Sequence, residues 1–355
     1  MARIIYGVQG EGRGHSSRSK IIIEHLLDQG HEVRILTSQK GYAYLSQFYD
    51  DVTAIMGLKF VFDGDQLDVL KTLQKNLQDG STDAGKTLKA LFSGIKSFDP
   101  HLAITDFEPF VPYAKTLYNL PFISINHQHV ISHYHLEYPY RWRGDYLKAR
   151  AVVDNMYWFA DHYYVTSFFF PEVRRRFRRR SSLVGPILRR EVLRQKRAKG
   201  DHILIYATTP ESRRALELAQ EMKAPCVAYG FEEPAGRRGN ITFKKPSTRG
   251  FLRDAAEARA IITNGGYTLM SEALYLGKPV YSIPIGSQFE QMMNGYYLEK
   301  LGYGLFDLEP RRERLRMFLD GLAYFRKNIR RDRDRFCSNQ ELFAELDRLI
   351  ADLNR

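Results

Sequence analysis

The chain has 355 residues, of which 44% are apolar, and this is enough to bury two hydrophobic cores. Such a composition excludes an intrinsically disordered protein. A formal net charge of +12 indicates an anionic partner, for which a nucleotide, a nucleic acid and an anionic lipid surface are the candidates.

Targeting features and cysteine usage predict a cytoplasmic protein. The N-terminal Met1-Ala2-Arg3 leads directly into a strand rather than into a signal peptide. No apolar run approaches the roughly twenty residues that a membrane-spanning helix needs. Cys226 and Cys337 are far apart in sequence and lack metal-binding spacing, which predicts reduced thiols.

Residues 3–8 are predicted to form the first strand, and residues 9–18, QGEGRGHSSR, form a glycine-rich loop that opens a helix. A dinucleotide-binding loop would have the pattern G-x-G-x-x-G and an acidic residue after the second strand. Gly10 and Gly12 fit this pattern, but His15 stands where the third glycine belongs, and the second strand ends in Thr-Ser. We therefore exclude a dinucleotide-binding loop.

Asp63 and Asp65 form a D-x-D pattern that has two interpretations. Carboxylates at this spacing suit a hard cation such as Mg²⁺ or Mn²⁺. Asp and Gly are also the commonest turn-forming residues, so a simple turn is the alternative. We assign no metal to this pattern.

Two carboxylates follow the buried strand that is predicted at residues 101–105. Asp106 and Glu108 lie at its carboxyl end, which is the edge of a parallel sheet where ligands bind. A catalytic role is one hypothesis for this pair. Capping of the helix predicted at residues 111–117 is the other, and both stay open.

Four histidines follow the next predicted strand, residues 122–125. They are His127, His129, His133 and His135. Alternate residues of a strand point the same way, so a zinc site is one hypothesis. No cysteine joins these histidines, and the segment leaves its strand at the ligand-binding edge. We therefore assign His127 and His129 to the polar lining of an acceptor site and predict no metal.

Residues 174–180 carry six arginines and one phenylalanine, and they follow three phenylalanines at 168–170. A charge run of this kind is commonly a solvated face. Arginines beside aromatic residues are also typical of a surface that lies on anionic lipid headgroups, where each basic residue adds about 1 kcal/mol. The second interpretation predicts peripheral membrane attachment through Arg174, Arg176 and Arg178.

Residues 263–304 have the order strand, loop, helix, strand, loop, helix of a parallel sheet. Gly265-Gly266 lets a ligand approach the start of the first helix, whose free N–H groups and dipole suit a phosphate. Glu272, one to two turns later, is placed to accept the two hydroxyls of a ribose. The alternative is an ordinary strand–helix unit in which the glycines only make turns.

The same residues have the pattern GG-x(5)-EA-x(3)-GKP-x(4)-P-x(5)-EQ-x(2)-N-x(7)-G. This pattern resembles the donor half of GT-B glycosyltransferases, especially UDP-glycosyltransferases, MurG-type N-acetylglucosaminyltransferases and a related archaeal and bacterial group. The resemblance implies that Glu272 binds the ribose, that Glu290 and Gln291 contact the sugar, and that the glycine-rich helix start holds the diphosphate. Many family members carry His or Ser where this chain has Asn264, so the phosphate contacts here depend on the backbone.

The resemblance extends to the first loop, which in the family carries G-x-x-x-G-H. His15 matches the histidine, and a neutral imidazole can take a proton from an acceptor hydroxyl near pH 7. Asp106 matches the aspartate that is hydrogen-bonded to this histidine, with Glu108 as the competing candidate. The predicted acceptor-side residues are Gly12, Arg13, Gly14, His127 and His129. The predicted donor-binding residues are Thr208, Asn264, Gly265, Gly266, Tyr267, Thr268, Glu272, Glu290 and Gln291.

These observations predict an α/β protein with the GT-B fold, in which two Rossmann-like domains face each other across a cleft. Residues 1–185 are expected to bind the acceptor and residues 186–330 the nucleotide-sugar. The helix in residues 331–355 is expected to pack back on the first domain. The predicted location is the cytoplasm, with peripheral attachment to the inner face of the membrane.

The expected reaction is the metal-independent, inverting transfer of a hexosyl group from a nucleotide-diphosphate sugar, with UDP favoured by the resemblance, to an acceptor hydroxyl. The arginine-rich segment suggests a lipid-linked acceptor. Because the nucleotide-sugar is a substrate, no cofactor is expected, and no nucleic acid is expected either. A non-hydrolysing UDP-sugar epimerase and a non-catalytic nucleotide- or nucleic-acid-binding protein remain as alternatives.

Overall fold

The computed structural model describes residues 1–11, 13–55, 62–63, 66–67, 92, 94–157, 159–198, 200–206, 210–221, 224–285 and 288–353. These residues form two compact units. Unit 1 consists of Met1–Ile187 and Ser338–Arg355, and unit 2 consists of Leu188–Cys337. Three residues with predicted roles or patterns, Gly12, Asp65 and Thr208, lie outside the described residues.

The described strands are β1 (Arg3–Val8), β2 (Glu32–Thr37), β3 (Val52–Ala54), β4 (Phe62–Asp63), β5 (Gln66–Leu67), β6 (Leu102–Asp106), β7 (Phe122–Asn126), β8 (His162–Thr166), β9 (Ser181–Val184), β10 (Ile203–Tyr206), β11 (Cys226–Tyr229), β12 (Gly236–Arg238), β13 (Ile241–Phe243), β14 (Ala260–Thr263), β15 (Val280–Ser282) and β16 (Gly304–Phe306). The described helices are α1 (Arg13–Asp28), α2 (Gln39–Leu45), α3 (Val111–Tyr118), α4 (Val130–His133), α5 (Arg143–Met156), α6 (Arg190–Leu193), α7 (Pro210–Glu221), α8 (Thr248–Glu257), α9 (Tyr267–Tyr275), α10 (Phe289–Lys300), α11 (Arg312–Asp320), α12 (Leu322–Arg331) and α13 (Asn339–Leu353).

Unit 1 is built on a parallel sheet with the strand order β3-β2-β1-β6-β7-β8-β9. Val8, the last residue of β1, pairs with Thr37 of β2 and with Asp106 of β6. The carboxyl ends of these three strands are therefore level. The backbone N–H of Gln9 donates to the carbonyl of Asp106 over 3.0 Å, so the loop after β1 begins beside Asp106.

The core of unit 1 includes the C-terminal helix. Ile22 and Leu26 on α1 are fully buried against the sheet. Leu342, Leu346 and Ile350 on α13 are spaced about one turn apart and are buried in the same core. Such spacing gives α13 one apolar stripe, and the burial of that stripe stabilises the helix at this position.

Unit 2 is built on a sheet with the order β12-β13-β11-β10-β14-β15-β16, in which only the β12–β13 pairing is antiparallel among the described strands. Thr263 at the end of β14 pairs with Ser282 at the end of β15. The loops that follow these two strands therefore open at the same edge of the sheet, where open α/β sheets bind ligands.

Gly277 follows the end of helix α9. Its φ angle is +76°, which is the left-handed conformation that glycine adopts at little cost. Its N–H donates to the carbonyl of Leu274, and the N–H of Lys278 donates to that of Ala273. These two bonds satisfy carbonyls that the helix end would otherwise leave unpaired. Within the described parts of the chain, no helix has the length and apolarity needed to cross a membrane.

Candidate functional site

His15 and Asp106 meet at the carboxyl edge of the sheet in unit 1. His15 is in the first turn of α1, Asp106 ends β6, and the distance between His15 Nδ1 and Asp106 Oδ1 is 2.8 Å. Asp106 is completely buried, whereas the side chain of His15 keeps 17% of its surface exposed. The structure thus brings together two residues that are 91 positions apart and that the sequence singled out separately.

Two further side chains hold the Asp106 carboxylate. Arg18 donates to it from Nε over 3.1 Å and from Nη2 over 2.5 Å, and Ser19 Oγ donates over 3.0 Å. Burial alone would raise the pKa of Asp106, but the charges of Arg18 and His15 and their hydrogen bonds lower it below its ordinary value. Asp106 is therefore an ionised carboxylate whose two oxygens both accept hydrogen bonds, and it lies beside the imidazole.

This arrangement assigns the proton of the neutral His15 ring. An ionised carboxylate can only accept hydrogen bonds, so Nδ1 carries the proton and donates it to Asp106. The other ring nitrogen, Nε2, is then the unprotonated one, and its lone pair can accept a proton from a ligand that displaces the contact with Gln128. Gln128 Nε2 lies 3.4 Å from this nitrogen, and the Phe107 ring stacks on the imidazole with centroids 6.5 Å apart.

Glu108 caps a helix in this structure. Its two carboxylate oxygens accept the backbone N–H groups of Phe110 over 2.9 Å and Val111 over 2.8 Å, at the start of α3. Its side chain is buried, and burial raises its pKa to about 7 although both N–H bonds lower it. Phe107, between the two carboxylates, has φ +57°, a conformation that costs energy for a non-glycine residue. The two carboxylates bind different groups, since Asp106 binds side chains of α1 and Glu108 binds backbone N–H groups at the start of α3.

Three of the four histidines after β7 are buried, and His135 is exposed. His127 is 0% exposed with Nδ1 2.7 Å from the carbonyl of Thr166, and His129 is 1% exposed with Nδ1 3.0 Å from Asn126 Oδ1. His133 Nδ1 is 2.7 Å from Ser181 Oγ. The acceptor role of His127 and His129 stays a prediction. No group of three or more potential metal-ligating side chains occurs among the described residues.

These buried histidines predict that the fold loses stability in mild acid. Burial lowers the pKa of His129 to about 3 and that of His133 to about 2, whereas a histidine in an unfolded chain titrates near 6.5. Below about pH 6.5 the unfolded state binds more protons, so the unfolding free energy falls by up to about 1.4 kcal/mol per pH unit for each histidine. Between about pH 4.5 and 7, Glu108 binds more protons in the folded state than in the unfolded state. Its contribution to the unfolding free energy therefore rises as the pH falls, and this cancels the loss from one of the two histidines.

We expect the melting temperature to fall as the pH is lowered from 7.5 to 5, measured by circular dichroism. His133→Phe should make this dependence shallower, because the ring can still stack on Phe177 at a centroid distance of 3.7 Å but no longer titrates. The matched control is His135→Phe at an exposed position of the same segment. A wild-type melting temperature that is constant over this range would contradict the prediction.

In unit 2, the glycine pair leads into the N-terminus of α9. Gly265 has φ +83°, and a side chain there would lie 2.8 Å from Ser282 Oγ and 3.0 Å from the carbonyl of Gln291. Gly266 precedes the helix, no side-chain cap is present, and no atom lies within 4 Å of the place where a Cβ at Gly266 would stand. The helix start therefore presents backbone N–H groups and a positive dipole end, which together suit an anion.

Glu272 is held by an arginine. Arg189 donates from Nε to Oε1 over 2.7 Å and from Nη2 to Oε2 over 2.9 Å. The Glu272 side chain is 5% exposed and the Arg189 side chain 17% exposed. The bidentate pair fixes the Glu272 carboxylate one and a half turns after the start of α9.

Helix α10 supports the same loop. Asn294, fully buried, donates from Nδ2 to the carbonyl of Gly265 over 3.1 Å. Gln291 Oε1 accepts the N–H of Ile285 over 2.9 Å, and its Nε2 donates to Gln288 over 2.7 Å. Glu290 lies in the first turn of α10. Gln291 therefore binds Ile285 and Gln288, and its contact with a donor sugar stays a prediction.

Sequence reasoning missed five side chains that support these two sites, namely Arg18, Ser19, Gln128, Arg189 and Asn294. The position of Arg18, three residues after His15 in a helix, was a usable signal, because such residues share a helix face. Asn294 was part of the motif but received no role. Nothing near Arg189 in the sequence indicates its partner.

The arginine-rich segment, residues 174–180, corrects one expectation. Phe168 and Phe169 are each 1% exposed, and the Phe169 ring packs edge-on against His127 at 5.8 Å. They therefore belong to the core, and only Phe170 of the three phenylalanines is exposed, at 42%. The prediction of three surface aromatics beside the arginines is wrong for the first two.

Arg174 within this segment is a structural residue. Its Nε donates to the carbonyl of Tyr134 and its Nη2 to Tyr146 Oη, both over 3.0 Å. Arg178 is exposed and forms a surface ion pair with Glu172 over 2.8 Å. The other exposed arginines of the segment are Arg175, Arg176 and Arg179.

Comparison with known proteins places this geometry in a family. The model of the family described as Glycosyl transferase family 1 matches residues 2–323. An uncharacterized glycosyltransferase from Methanosarcina mazei is 24% identical over an alignment length of 351 residues. The match covers 85% of this chain and 84% of the relative.

Solved structures match the fold over nearly the full length. The glycotransferase of kitacinnamycin has a TM-score of 0.70 at 15% identity and covers 98% of each chain. CalG4, the calicheamicin glycosyltransferase, has a TM-score of 0.66 at 17% identity and covers 98% of this chain and 99% of its own. Arabidopsis thaliana UGT89C1, complexed with UDP-L-rhamnose, has a TM-score of 0.64 at 15% identity and covers 99% of each chain. The predicted GT-B fold is confirmed.

Proposed function

This chain belongs to glycosyl transferase family 1 and is a glycosyltransferase, and we propose that it moves a hexosyl group from a UDP-sugar to an acceptor hydroxyl with inversion. The observation that carries the proposal is the His15–Asp106 pair, in which the ring nitrogen that faces away from the buried carboxylate is available as a base. The choice of UDP rests on the sequence resemblance, and the UDP-L-rhamnose complex of UGT89C1 agrees with it.

The proposed reaction is a single displacement. His15 Nε2 takes the proton of the acceptor hydroxyl, and the acceptor oxygen forms a bond to the anomeric carbon of the donor. The bond from that carbon to the diphosphate breaks, and the electron pair leaves with the diphosphate. One displacement at the anomeric carbon inverts its configuration.

Asp106 and helix α9 would each stabilise one charge that this step creates. Asp106, already ionised, stabilises the imidazolium that forms at His15 and keeps the ring oriented. The uncapped N-terminus of α9, with Gly265 and Gly266, stabilises the negative charge on the leaving diphosphate. The proposal uses no metal ion, so activity is expected to survive treatment with EDTA.

The donor assignment is tested by calorimetric titration of the protein with UDP, GDP, dTDP and AMP. We expect UDP to bind in the low to middle micromolar range, about −6 to −8 kcal/mol, and the other three nucleotides to bind more weakly. Binding of none of the four would contradict the proposed function.

We further propose that the arginine-rich segment attaches unit 1 to an anionic membrane surface, which would bring a lipid-linked acceptor within reach. The support is the exposure of Arg175, Arg176, Arg178 and Arg179 next to the exposed Phe170. Each basic residue near such a surface contributes about 1 kcal/mol.

Sedimentation with liposomes is expected to show binding to anionic vesicles, and less binding as salt rises, since salt screens exposed charges. The combined change of Arg175, Arg176 and Arg179 to Ser should weaken binding without disturbing Arg174. The matched control replaces three exposed arginines of unit 2, Arg311, Arg312 and Arg316, by Ser. Equal binding to neutral and anionic vesicles would contradict membrane attachment through charge.

A further inference from the structure

Arg18 shares the buried carboxylate of Asp106 with His15. It lies three residues after His15 on α1, and its side chain is 3% exposed. Its Nη2 donates over 2.5 Å to Asp106 Oδ1, which is the oxygen that His15 Nδ1 approaches to 2.8 Å. Nη2 is also 3.2 Å from Nδ1 itself. The guanidinium and the imidazole are therefore direct neighbours on one carboxylate oxygen.

The net charge of this buried group decides how readily the imidazole binds a proton. An arginine keeps its charge in a protein, so Arg18 and the ionised Asp106 together carry no net charge. A proton added to the ring of His15 then creates a net positive charge beside a guanidinium. Without Arg18, the same proton would cancel the negative charge of Asp106. Because burial disfavours a net charge and like charges repel, Arg18 opposes protonation of the ring.

Three other titratable side chains lie near this group. Tyr6 on β1 and Tyr157 after α5 are close to the charge of Asp106, and burial raises the pKa of each, so both are neutral near pH 7. Glu108 has a pKa of about 7, but its oxygens bind the N–H groups at the start of α3. Among the described residues, Arg18 is thus the cation in contact with both members of the catalytic pair.

We propose that Arg18 is a positioning residue that keeps the imidazole of His15 unprotonated near neutral pH, so that the base is ready when the acceptor hydroxyl arrives. It acts through Asp106, whose carboxylate it orients with two hydrogen bonds and whose charge it balances. The inference rests on the proposed function, since it requires His15 to act as the base. Arg18 is assigned no contact with the acceptor or the donor.

The test follows protonation of the His15 ring by NMR, from the Cε1–H signal of full-length protein labelled at histidine. That signal is identified by its absence from His15→Ala. Arg18→Met removes the charge and keeps a long apolar side chain, so the titration midpoint of the ring should rise by about one pH unit or more. Arg18→Lys keeps the charge and should leave the midpoint within about half a pH unit of the wild-type value.

Lys20→Met, two residues further along α1, is the matched control. It also removes a positive charge from the helix, but Lys20 is paired with Glu24, so the midpoint of the ring should stay at the wild-type value. A purely structural role for Arg18 would lower the melting temperature of both Arg18 variants and leave the midpoint unchanged, and that result would overturn the inference. An equal rise in Arg18→Lys and Arg18→Met would also overturn it, since the charge would then have no effect.

If Arg18→Met does not fold, Arg18→Gln replaces it, because an amide can still donate to the carboxylate but carries no charge. An unchanged midpoint in that variant would again overturn the inference, as would a wild-type ring that is protonated at pH 7.5. The measurement needs neither donor nor acceptor. Absence of UDP binding by the wild-type protein would therefore contradict the proposed function, whereas an unchanged midpoint contradicts only the role of Arg18.

Discussion

Replacement of His15 by alanine should lower turnover by about a hundredfold or more and leave the affinity for UDP nearly unchanged. The imidazole lies in unit 1 and is the only group that we assign to proton removal, whereas the proposed UDP site lies in unit 2. Loss of a base raises the barrier of the chemical step without removing any proposed contact with the nucleotide. Steady-state kinetics with a UDP-sugar, together with calorimetry of UDP, measures both quantities.

The matched control is His25→Ala in the same helix. His25 Nε2 is 2.8 Å from Asp347 and its ring stacks on Phe343, so this change should affect the melting temperature rather than turnover. An active His15→Ala enzyme combined with an inactive Glu108→Gln enzyme would assign the base to Glu108 instead. The structure makes the opposite result the expected one, since both oxygens of Glu108 bind N–H groups at the start of α3.

Replacement of Glu272 by alanine should weaken UDP binding by about 1.5–3 kcal/mol, which is roughly tenfold to a hundredfold or more. The change removes the acceptor of the ribose hydroxyls and leaves the charge of Arg189 without its carboxylate. The second effect lowers stability, so the melting temperature should be measured beside the affinity. The titration proposed for the wild-type protein is repeated with this variant.

The control for Glu272→Ala is Glu309→Ala, at an exposed carboxylate of the same unit. It removes the same charge from the unit but should leave UDP affinity unchanged. Equal affinity of the wild-type protein and Glu272→Ala for UDP would remove Glu272 from the donor site. A lower melting temperature of Glu272→Ala with unchanged UDP affinity would show that the ion pair between Arg189 and Glu272 only stabilises the fold.

The local features of both sites could be predicted from the sequence. A glycine pair after a short apolar strand, an amphipathic helix and a glycine at its end predict α9 and its neighbours, and the structure has these elements. The reason is physical, since Gly265 and Gly277 adopt positive φ angles, at which other residues are strained. The resemblance carried by the same motif predicts the GT-B fold, which the comparisons confirm.

Only the tertiary structure decided which side chains pair across long separations. Asp106 binds Arg18 from 88 residues away, and Glu272 binds Arg189 from 83 residues away. Local periodicity reports which face of an element is apolar, but the register of the sheet decides which residues meet at its edge. Val8 and Asp106 are level because β1 and β6 pair in parallel, and that register brings the first loop to the carboxylate.

Burial of polar and aromatic residues was the second feature that the sequence by itself did not determine. Phe168 and Phe169 follow a strand and precede an arginine run, and that order is compatible with buried and with exposed side chains. Glu108 was equally compatible with a base and with a cap. Whether a side chain is buried depends on which elements pack over it, and the position of those elements is set by contacts throughout the unit. For this reason the sequence by itself determined the elements and the family, whereas the partners of Asp106, Glu108 and Glu272 were decided by the fold.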